Sequence, residues 1–593
     1  MTINHRLQKL REAMRAHHID AYLIPSSDPH QSEYVAEHWA SRQWISGFTG
    51  SAGLAIVTPQ HAGLWTDSRY WLQAAAELRD TAWVLHRQEG DALPEHITWL
   101  QANLPPGSTL GIDGALFSVG QWRFLRKQLQ KYSIEIADKF DLIAEIRPDR
   151  PALPAGMIFE YDRQFAGENR ADKLRRVREQ MRAQAADFHL VTTLDDIAWT
   201  LNLRGADIPF NPLIISYLII GLEMSWLFIQ PEKVPDEIKR ALNEDGVVVQ
   251  PYEQITSFLQ QVTAPVLIDD HSVNLQLYRA IPEAWRLQGE TIPIRLKAVK
   301  NATEIAQLRT AMCKDGVALL RFFRWLEQAL TEAPVTEYEA GRQLNAFRQA
   351  QGDYFGESFS AIVGYNSNGA IVHYRPDEQD SAVIQTQGIL LLDSGGQYLQ
   401  GTTDITRTVA LGPPDTEQQL HYTLVLKGHI ALAMARFPAG TTGVQLDTLA
   451  RQFLWQQGLN FGHGTGHGVG FFLCVHEPPQ GFTSNPAHQR SRTALQPGML
   501  TSNEPGFYQT GAYGIRIENL VLCVPASETV YGAFLQFETL SLFPIDTQLI
   551  DRSLLTDAER QWLNDYHQKV LQNLSPYLNA AELAWLQTRC AAI

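Results

Sequence analysis

The sequence predicts an α/β protein that becomes α+β in its last half: two related α/β domains, then a larger domain of helices and antiparallel strands. Three observations carry this reading. The segments 1 to about 148 and about 155 to 293 share a rhythm, each opening on an amphipathic helix and an apolar strand before strand–helix alternation sets in. From about 298 onward, long helical stretches give way to apolar strands joined by turns. A chain of 593 residues also has room for about three to five domains.

Taken in order, Leu7–His17 has helical spacing and Ala21–Ile24 reads as the first buried strand. Arg147-Pro-Asp-Arg-Pro-Ala-Leu-Pro154 holds three prolines in eight positions, which stops helices and marks a domain joint. Lys173–Ala185 and Phe188–Val191 repeat the helix–strand opening. Leu213–Ile229 is apolar enough to suggest a membrane span, but it is short and broken by Gly221 and Glu223, so it reads as two buried strands joined by a turn. A second joint lies near Thr291–Lys300, where strand-like Ile-Pro-Ile-Arg-Leu-Lys-Ala-Val runs into a new helix. Asn301 and Glu304 open that helix as a capping box, and Ile305, Leu308, Met312, Leu319, Phe323 and Leu326 continue it at helical spacing. Apolar strands follow at Ile389–Asp393, Thr402–Ala410, Met499–Glu504 and Gly514–Val524. Thr556 and Glu559 cap a last helix with Trp562, Tyr566 and Val570 on one face. The domains expected are 1–150, 151–296 and 297–593.

The formal charge of −15 argues against nucleic acid as a partner, because phosphate binding needs clustered lysine and arginine. Cys313, Cys474, Cys523 and Cys590 form no CxxC pair, so neither a zinc knuckle nor a disulfide scaffold is expected. The first residues have no apolar core of a signal peptide. A soluble cytoplasmic protein without membrane attachment is the expectation.

Five residues of the last domain stand out: Asp393, Asp404, His467, Glu504 and Glu518. Each closes or interrupts an apolar strand, or sits in a glycine-rich turn. A carboxylate there needs a partner, and a metal ion is one of the few that can satisfy several at once. Asp393 and Asp404 are eleven apart, around Gly395-Gly396, and a hairpin of that span sets both on one face. Alone, the pair reads equally as solvated surface aspartates. Period two puts Arg516 and Glu518 on one strand face, which alone could be an exposed ion pair. Glu504 precedes the Pro505-Gly506 pair that ends its strand. His467 belongs to Phe461-Gly-His-Gly-Thr-Gly-His-Gly468, where four glycines rule out the helix that a zinc HExxH motif requires. His373, His463 and His476 are further histidines in marked contexts; each alone could be a satisfied structural residue.

Together, four carboxylates and one imidazole make an oxygen-rich donor set suited to Mn²⁺ or similar ions. Four carboxylates are too many for one catalytic zinc, and they suit two divalent ions about 3.5–4 Å apart. The other histidines could hold substrate and move protons.

The order Asp, Asp, His, Glu, Glu resembles that of the pita-bread metallopeptidases, in particular the long three-domain cytosolic Xaa-Pro aminopeptidases. Pro25-Ser-Ser-Asp-Pro-His-Gln-Ser-Glu-Tyr34, Ser46-Gly-Phe-Thr-Gly-Ser-Ala-Gly53 and Trp65-Thr-Asp-Ser-Arg-Tyr70 are similar to that family's first domain. Leu194-Asp-Asp-Ile-Ala-Trp199 and Asn202-Leu-Arg-Gly205 are similar to its second. The resemblance implies a pita-bread catalytic domain with a C-terminal helical extension, behind two related creatinase-type α/β domains. It implies cleavage between an N-terminal residue and a penultimate proline by a hydroxide bridging two metals, Mn²⁺ by preference, with Zn²⁺ or Co²⁺ as alternatives. Asp404 and Glu518 would bridge the metals, Asp393 would bind one with both oxygens, and His467 and Glu504 would complete the other. Glu504 would also accept a proton, and His476 would shuttle one. His373 and His463 would contact substrate. Arg516 would orient Glu518 or line the proline pocket, with Tyr508 beside it. Arg375 and Phe507 depart from the family pattern and would tune preference; no ligand of the pattern is missing. A homodimer is implied in the same way. The alternatives are a prolidase acting on Xaa-Pro dipeptides and a non-catalytic pita-bread binding protein.

Overall fold

The computed structural model describes residues 1–90 and 93–593. The chain forms two compact units, residues 1–162 with 168–293, and residues 163–167 with 294–593.

The first unit contains two six-stranded sheets of one topology. In the first, Ala21–Pro25 pairs antiparallel with Leu54–Val57, which pairs antiparallel with Ala62–Asp67, which pairs parallel with Val84–Gln88. On its other side Ala21–Pro25 pairs parallel with Thr109–Gly111, and that strand with Glu135–Ala137. The second sheet repeats each step with Phe188–Val191, Tyr217–Gly221, Ser225–Phe228, Val247–Gln250, Val266–Ile268 and Arg286–Gln288. The similar rhythm of the two segments is thus a repeated fold. The helix Ile3–Ala16 buries Leu7, Leu10 and Met14 in the first core. Leu213–Ile229 is the expected pair of buried strands, Tyr217–Gly221 and Ser225–Phe228. No helix among the described residues is long and apolar enough to cross a membrane.

One expected strand is a helix. Ile292–Ala298 is α-helical. Proline is tolerated in a helix's first turn, and the buried residues Ile292, Pro293, Lys297 and Ala298 fall at helical rather than alternating spacing.

His189 ties this region to the second sheet. Its Nε2 accepts the Ile292 N–H at 3.2 Å, so its Nδ1–H donates to the Leu267 carbonyl, also at 3.2 Å. The ring is wholly buried, and burial lowers its pKa to about 4. An unfolded histidine titrates near 6.5, so between about pH 6.5 and 4 the unfolded chain takes a proton that the folded one refuses. Stability should fall as pH drops through that window, by up to about 1.4 kcal/mol per unit, and be unaffected by this group above it. Urea unfolding at stepped pH should show a flatter slope for His189→Gln; equal slopes would remove His189 as the cause.

The second unit begins with the helix Ala302–Glu332, opened by the capping box of Asn301 and Glu304. Ile362–Tyr365, Ile389–Ser394 and Ile405–Ala410 form a three-stranded antiparallel sheet. A six-stranded sheet runs in the order Arg436–Pro438, Gly532–Thr539, Asn519–Thr529, Leu500–Asn503, Gly466–Gly468 and Glu477–Phe482. The helices Thr416–Ala433 and Gly443–Trp455 pack on each other. The helix Asp557–Leu574 is capped by Thr556 and Glu559 and buries Tyr566 and Val570.

Candidate metal centre

Asp393 lies in one strand and Asp404 immediately precedes its neighbour, though the two are not joined by a simple hairpin. Ile389–Ser394 pairs with Ile405–Ala410, and Asp393 faces Thr406. Between them the chain leaves to form Gly396–Tyr398 and Gly401–Thr402, which join a separate sheet with Tyr354–Glu357. The Gly395-Gly396 pair therefore starts an excursion rather than closing a turn. Glu518 occupies the break between Tyr513–Arg516 and Asn519–Thr529, and its N–H donates to the Thr406 carbonyl at 3.1 Å. His467 is the middle of Gly466–Gly468. A Cβ on Gly466 would lie 1.9 Å from the Ser502 carbonyl, so only glycine lets this strand close on Leu500–Asn503. Glu504 follows that strand.

The five residues come together. Asp404, His467 and Glu518 offer donor atoms within 4.8 Å of one another. His467 Nε2 lies 3.5 Å from Asp404 Oδ2 and 3.4 Å from Glu504 Oε1. Its Nδ1 is 3.0 Å from the Gly468 carbonyl, which makes Nδ1 the donor and leaves the Nε2 lone pair aimed at two carboxylate oxygens. Separations of about 3.4 Å follow from metal bonds of about 2.1 Å at tetrahedral angles and exceed hydrogen-bond distances. Asp393 Oδ1 and Glu518 Oε1 are buried and have no hydrogen-bond partner. A lone pair facing carboxylates, beside two more buried oxygens with no hydrogen-bond partner, is a donor set that fits a divalent cation.

Residues 306–525 match metallopeptidase family M24, and residues 533–593 match the C-terminal region of peptidase M24. Residues 6–148 and 149–304 each match the Creatinase/Prolidase N-terminal domain. A protein of Laccaria bicolor described as a probable Xaa-Pro aminopeptidase P is 41% identical over 99% of this chain and 93% of its own. The chain belongs to metallopeptidase family M24. The crystal structure of a Caenorhabditis elegans X-prolyl aminopeptidase, described as a cytosolic enzyme with a di-nuclear active site, superposes with a TM-score of 0.95 at 35% identity, covering 100% of both chains. An Xaa-Pro dipeptidase from Bacillus anthracis reaches a TM-score of 0.51 at 25% identity, covering 64% of this chain and 99% of its own.

Around the M24 cluster, the polar partners are specific. Arg516 addresses Asp393, donating from Nη2 and, at 3.1 Å, from Nε to Oδ2. It does not bond Glu518, whose Oε2 instead accepts the Thr406 hydroxyl at 2.9 Å. Arg516 Nη1 donates to the Tyr508 hydroxyl at 2.6 Å, the Tyr508 hydroxyl donates to His463 Nε2 at 2.8 Å, and His463 Nδ1 donates to the Gly464 carbonyl at 2.7 Å. His476 lies edge-on to His467, with ring centroids 4.2 Å apart. Next to half-buried His373, the Val372 carbonyl accepts from Arg516 Nη2 at 3.4 Å.

Burial, with Asp393 and Glu504 adding repulsion, raises the Asp404 pKa well above the carboxylate range. Burial does the same to Glu518, with Asp404, Glu504 and Asp393 adding. Glu504 is pushed up to about 7 by burial, with Arg516 opposing. Tyr508 is raised to about 12, again by burial. Crowded carboxylates of this kind release their protons when divalent cations supply the counter-charge.

Three supporting residues escaped the sequence reading. Thr406 could have been found from period two, since residues 404, 406 and 408 share one side of their strand. Ser502 accepts the His467 N–H at 2.9 Å and donates to Glu504 Oε1 at 3.0 Å. Arg407, 1% exposed, donates to the carbonyls of Glu518, Phe543 and Pro544 and to Asn519 and Tyr566. Nothing in the local sequence marks those partners.

Proposed function

We propose that the chain is a metal-dependent Xaa-Pro aminopeptidase, cleaving the bond between an N-terminal residue and a penultimate proline. The observation that carries the metal reading is the His467 Nε2 lone pair aimed between Asp404 and Glu504, beside the unsatisfied Asp393 and Glu518 oxygens. The choice of peptide bond rests on full-length likeness to Xaa-Pro aminopeptidases.

In this reading two divalent ions would be held by Asp393, Asp404, His467, Glu504 and Glu518. When bound, such ions polarise a carbonyl and activate a water. The chain's own residues do the rest. Ser502 engages Glu504 Oε1, so Oε2 is the oxygen that accepts a proton from the attacking water. His476, against His467, carries a proton toward the leaving proline nitrogen. Arg516 fixes Asp393, and through Tyr508 it fixes the tautomer of His463, which faces the substrate. His373 contacts the substrate. Mn²⁺ as the native metal, a homodimer, a cytoplasmic location and domain limits at 1–150, 151–296 and 297–593 belong to the same reading.

The test is hydrolysis of an Xaa-Pro-Xaa tripeptide by metal-stripped protein before and after addition of Mn²⁺, with an Xaa-Pro dipeptide alongside. Release of the first residue from the tripeptide only after metal addition is expected, with little dipeptide cleavage. Faster dipeptide cleavage would favour a prolidase; no release with any metal, from folded protein, would sink the enzymatic reading.

A further inference from the structure

A groove of about 740 Å³ lies in the first unit, far along the chain from the metal centre. The helix Val119–Leu129 and the turn after it form one wall. The helix Leu275–Ala280 and the start of the strand Arg286–Gln288 form the other. Six of its ten lining residues are cations: Arg123, Arg126, Lys127, Lys131, Arg279 and Arg286. Among the described residues no carboxylate lines it. On a chain with 64 acidic and 49 basic residues, such a concentration of one sign goes against the composition.

Internal pairing accounts for only two of the six. Arg123 pairs with Asp270, and Arg279 pairs with Asp138 at 2.6 Å. Arg126, Lys127, Lys131 and Arg286 make no ion pair among the described residues. Arg126 and Lys127 complement the carbonyl end of their helix, but that does not account for Lys131 or Arg286. Two aromatic rings sit against the guanidinium groups. Trp122 has Arg126 and Arg279 over its ring at 5.2 and 5.5 Å, and Tyr278 has Arg286 at 4.3 Å. A guanidinium over an aromatic ring gains cation–π attraction and keeps a fork of N–H donors that can meet phosphate oxygens two at a time. The volume exceeds what one phosphate fills and suits a ligand of nucleotide size.

We propose that this groove binds a small anion carrying several linked phosphates. The phosphate chain bridges the Lys127–Lys131 side to Arg286. Inorganic triphosphate and a nucleoside triphosphate share that chemistry.

Equilibrium dialysis of the metal-loaded full chain against inorganic triphosphate, and separately against ATP, tests it. Saturable binding is expected. Combined Arg126→Gln, Lys127→Gln and Lys131→Gln should raise Kd at least tenfold while peptidase activity stays unchanged. All three side chains are exposed, so the fold should tolerate their loss. A control with Arg182→Gln, Lys239→Gln and Arg240→Gln makes the same change of net charge outside the groove and should bind as the wild type does. Equal affinity for both anions would locate recognition in the phosphates alone; tighter ATP would add a seat for the ring. The proposal is overturned if the wild type shows no saturable binding, if the groove variant binds equally well, or if the control loses as much.

Discussion

Glu518→Gln should abolish peptidase activity by a factor of about 10³ or more while leaving the chain folded. The side chain is 1% exposed, its Oε2 is held by Thr406, and its Oε1 has no hydrogen-bond partner. The amide keeps the shape and the Thr406 contact but removes the charge that the proposed metal ligand supplies. Stability should move the other way in metal-free protein. There Glu518 is a buried carboxylate repelled by Asp404, Glu504 and Asp393, and its pKa stands well above normal. Replacing it by a neutral amide relieves that conflict, so the metal-free variant should melt at or above the wild type. Added Mn²⁺ should raise the wild-type melting temperature and leave the variant nearly unmoved. Activity within tenfold of wild type, with full metal content, would remove Glu518 from the ligand set.

The second large effect is expected at a residue that touches no metal. Arg407→Met should cost about 3–5 kcal/mol, a large share of an ordinary domain's stability. The guanidinium donates to Thr406 O at 2.9 Å, Glu518 O at 2.6 Å, Pro544 O at 3.0 Å, Phe543 O at 2.6 Å, Asn519 Oδ1 at 2.8 Å and Tyr566 Oη at 2.8 Å. Methionine fills similar space and satisfies none of these acceptors, which stay buried. Because the Thr406 and Glu518 backbones are among them, metal affinity should fall together with stability. Urea unfolding and a metal titration check both; a cost under about 1 kcal/mol would mean that water or a shift of the chain replaces the arginine.

The cluster was legible because its chemistry is local. Asp393 ends a run of three leucines, Glu518 follows alternating isoleucines, and His467 sits among glycines; each is a polar residue where the pattern calls for an apolar or small one. The capping boxes at Asn301 and Thr556 were legible for the same reason, since each motif is complete within four residues. What stayed hidden depends on distant partners. The excursion between Asp393 and Asp404 is set by pairing with Tyr354–Glu357, and no residue of 395–403 announces it. Ile292–Ala298 has β-branched residues that suggest a strand, while its burial at helical spacing is decided by what packs around it. Arg516 was expected near Glu518 from strand alternation, but the chain breaks at Ile517–Glu518 and turns the arginine to Asp393.

The two contacts between Thr406 and Glu518 join positions 112 residues apart, and Arg407 to Tyr566 spans 159. During synthesis from the N-terminus, the first two carboxylates emerge more than a hundred residues before the last. The helix that braces them comes later still. Contacts of such long range form late in folding. On the proposed ligand set, a nascent chain would not hold its metals until it is almost complete, and cofactor loading would fall at the end of biogenesis. By the same logic, clipping away the final helices, which carry none of the five proposed ligand residues, would release the ions as surely as mutating one of those residues.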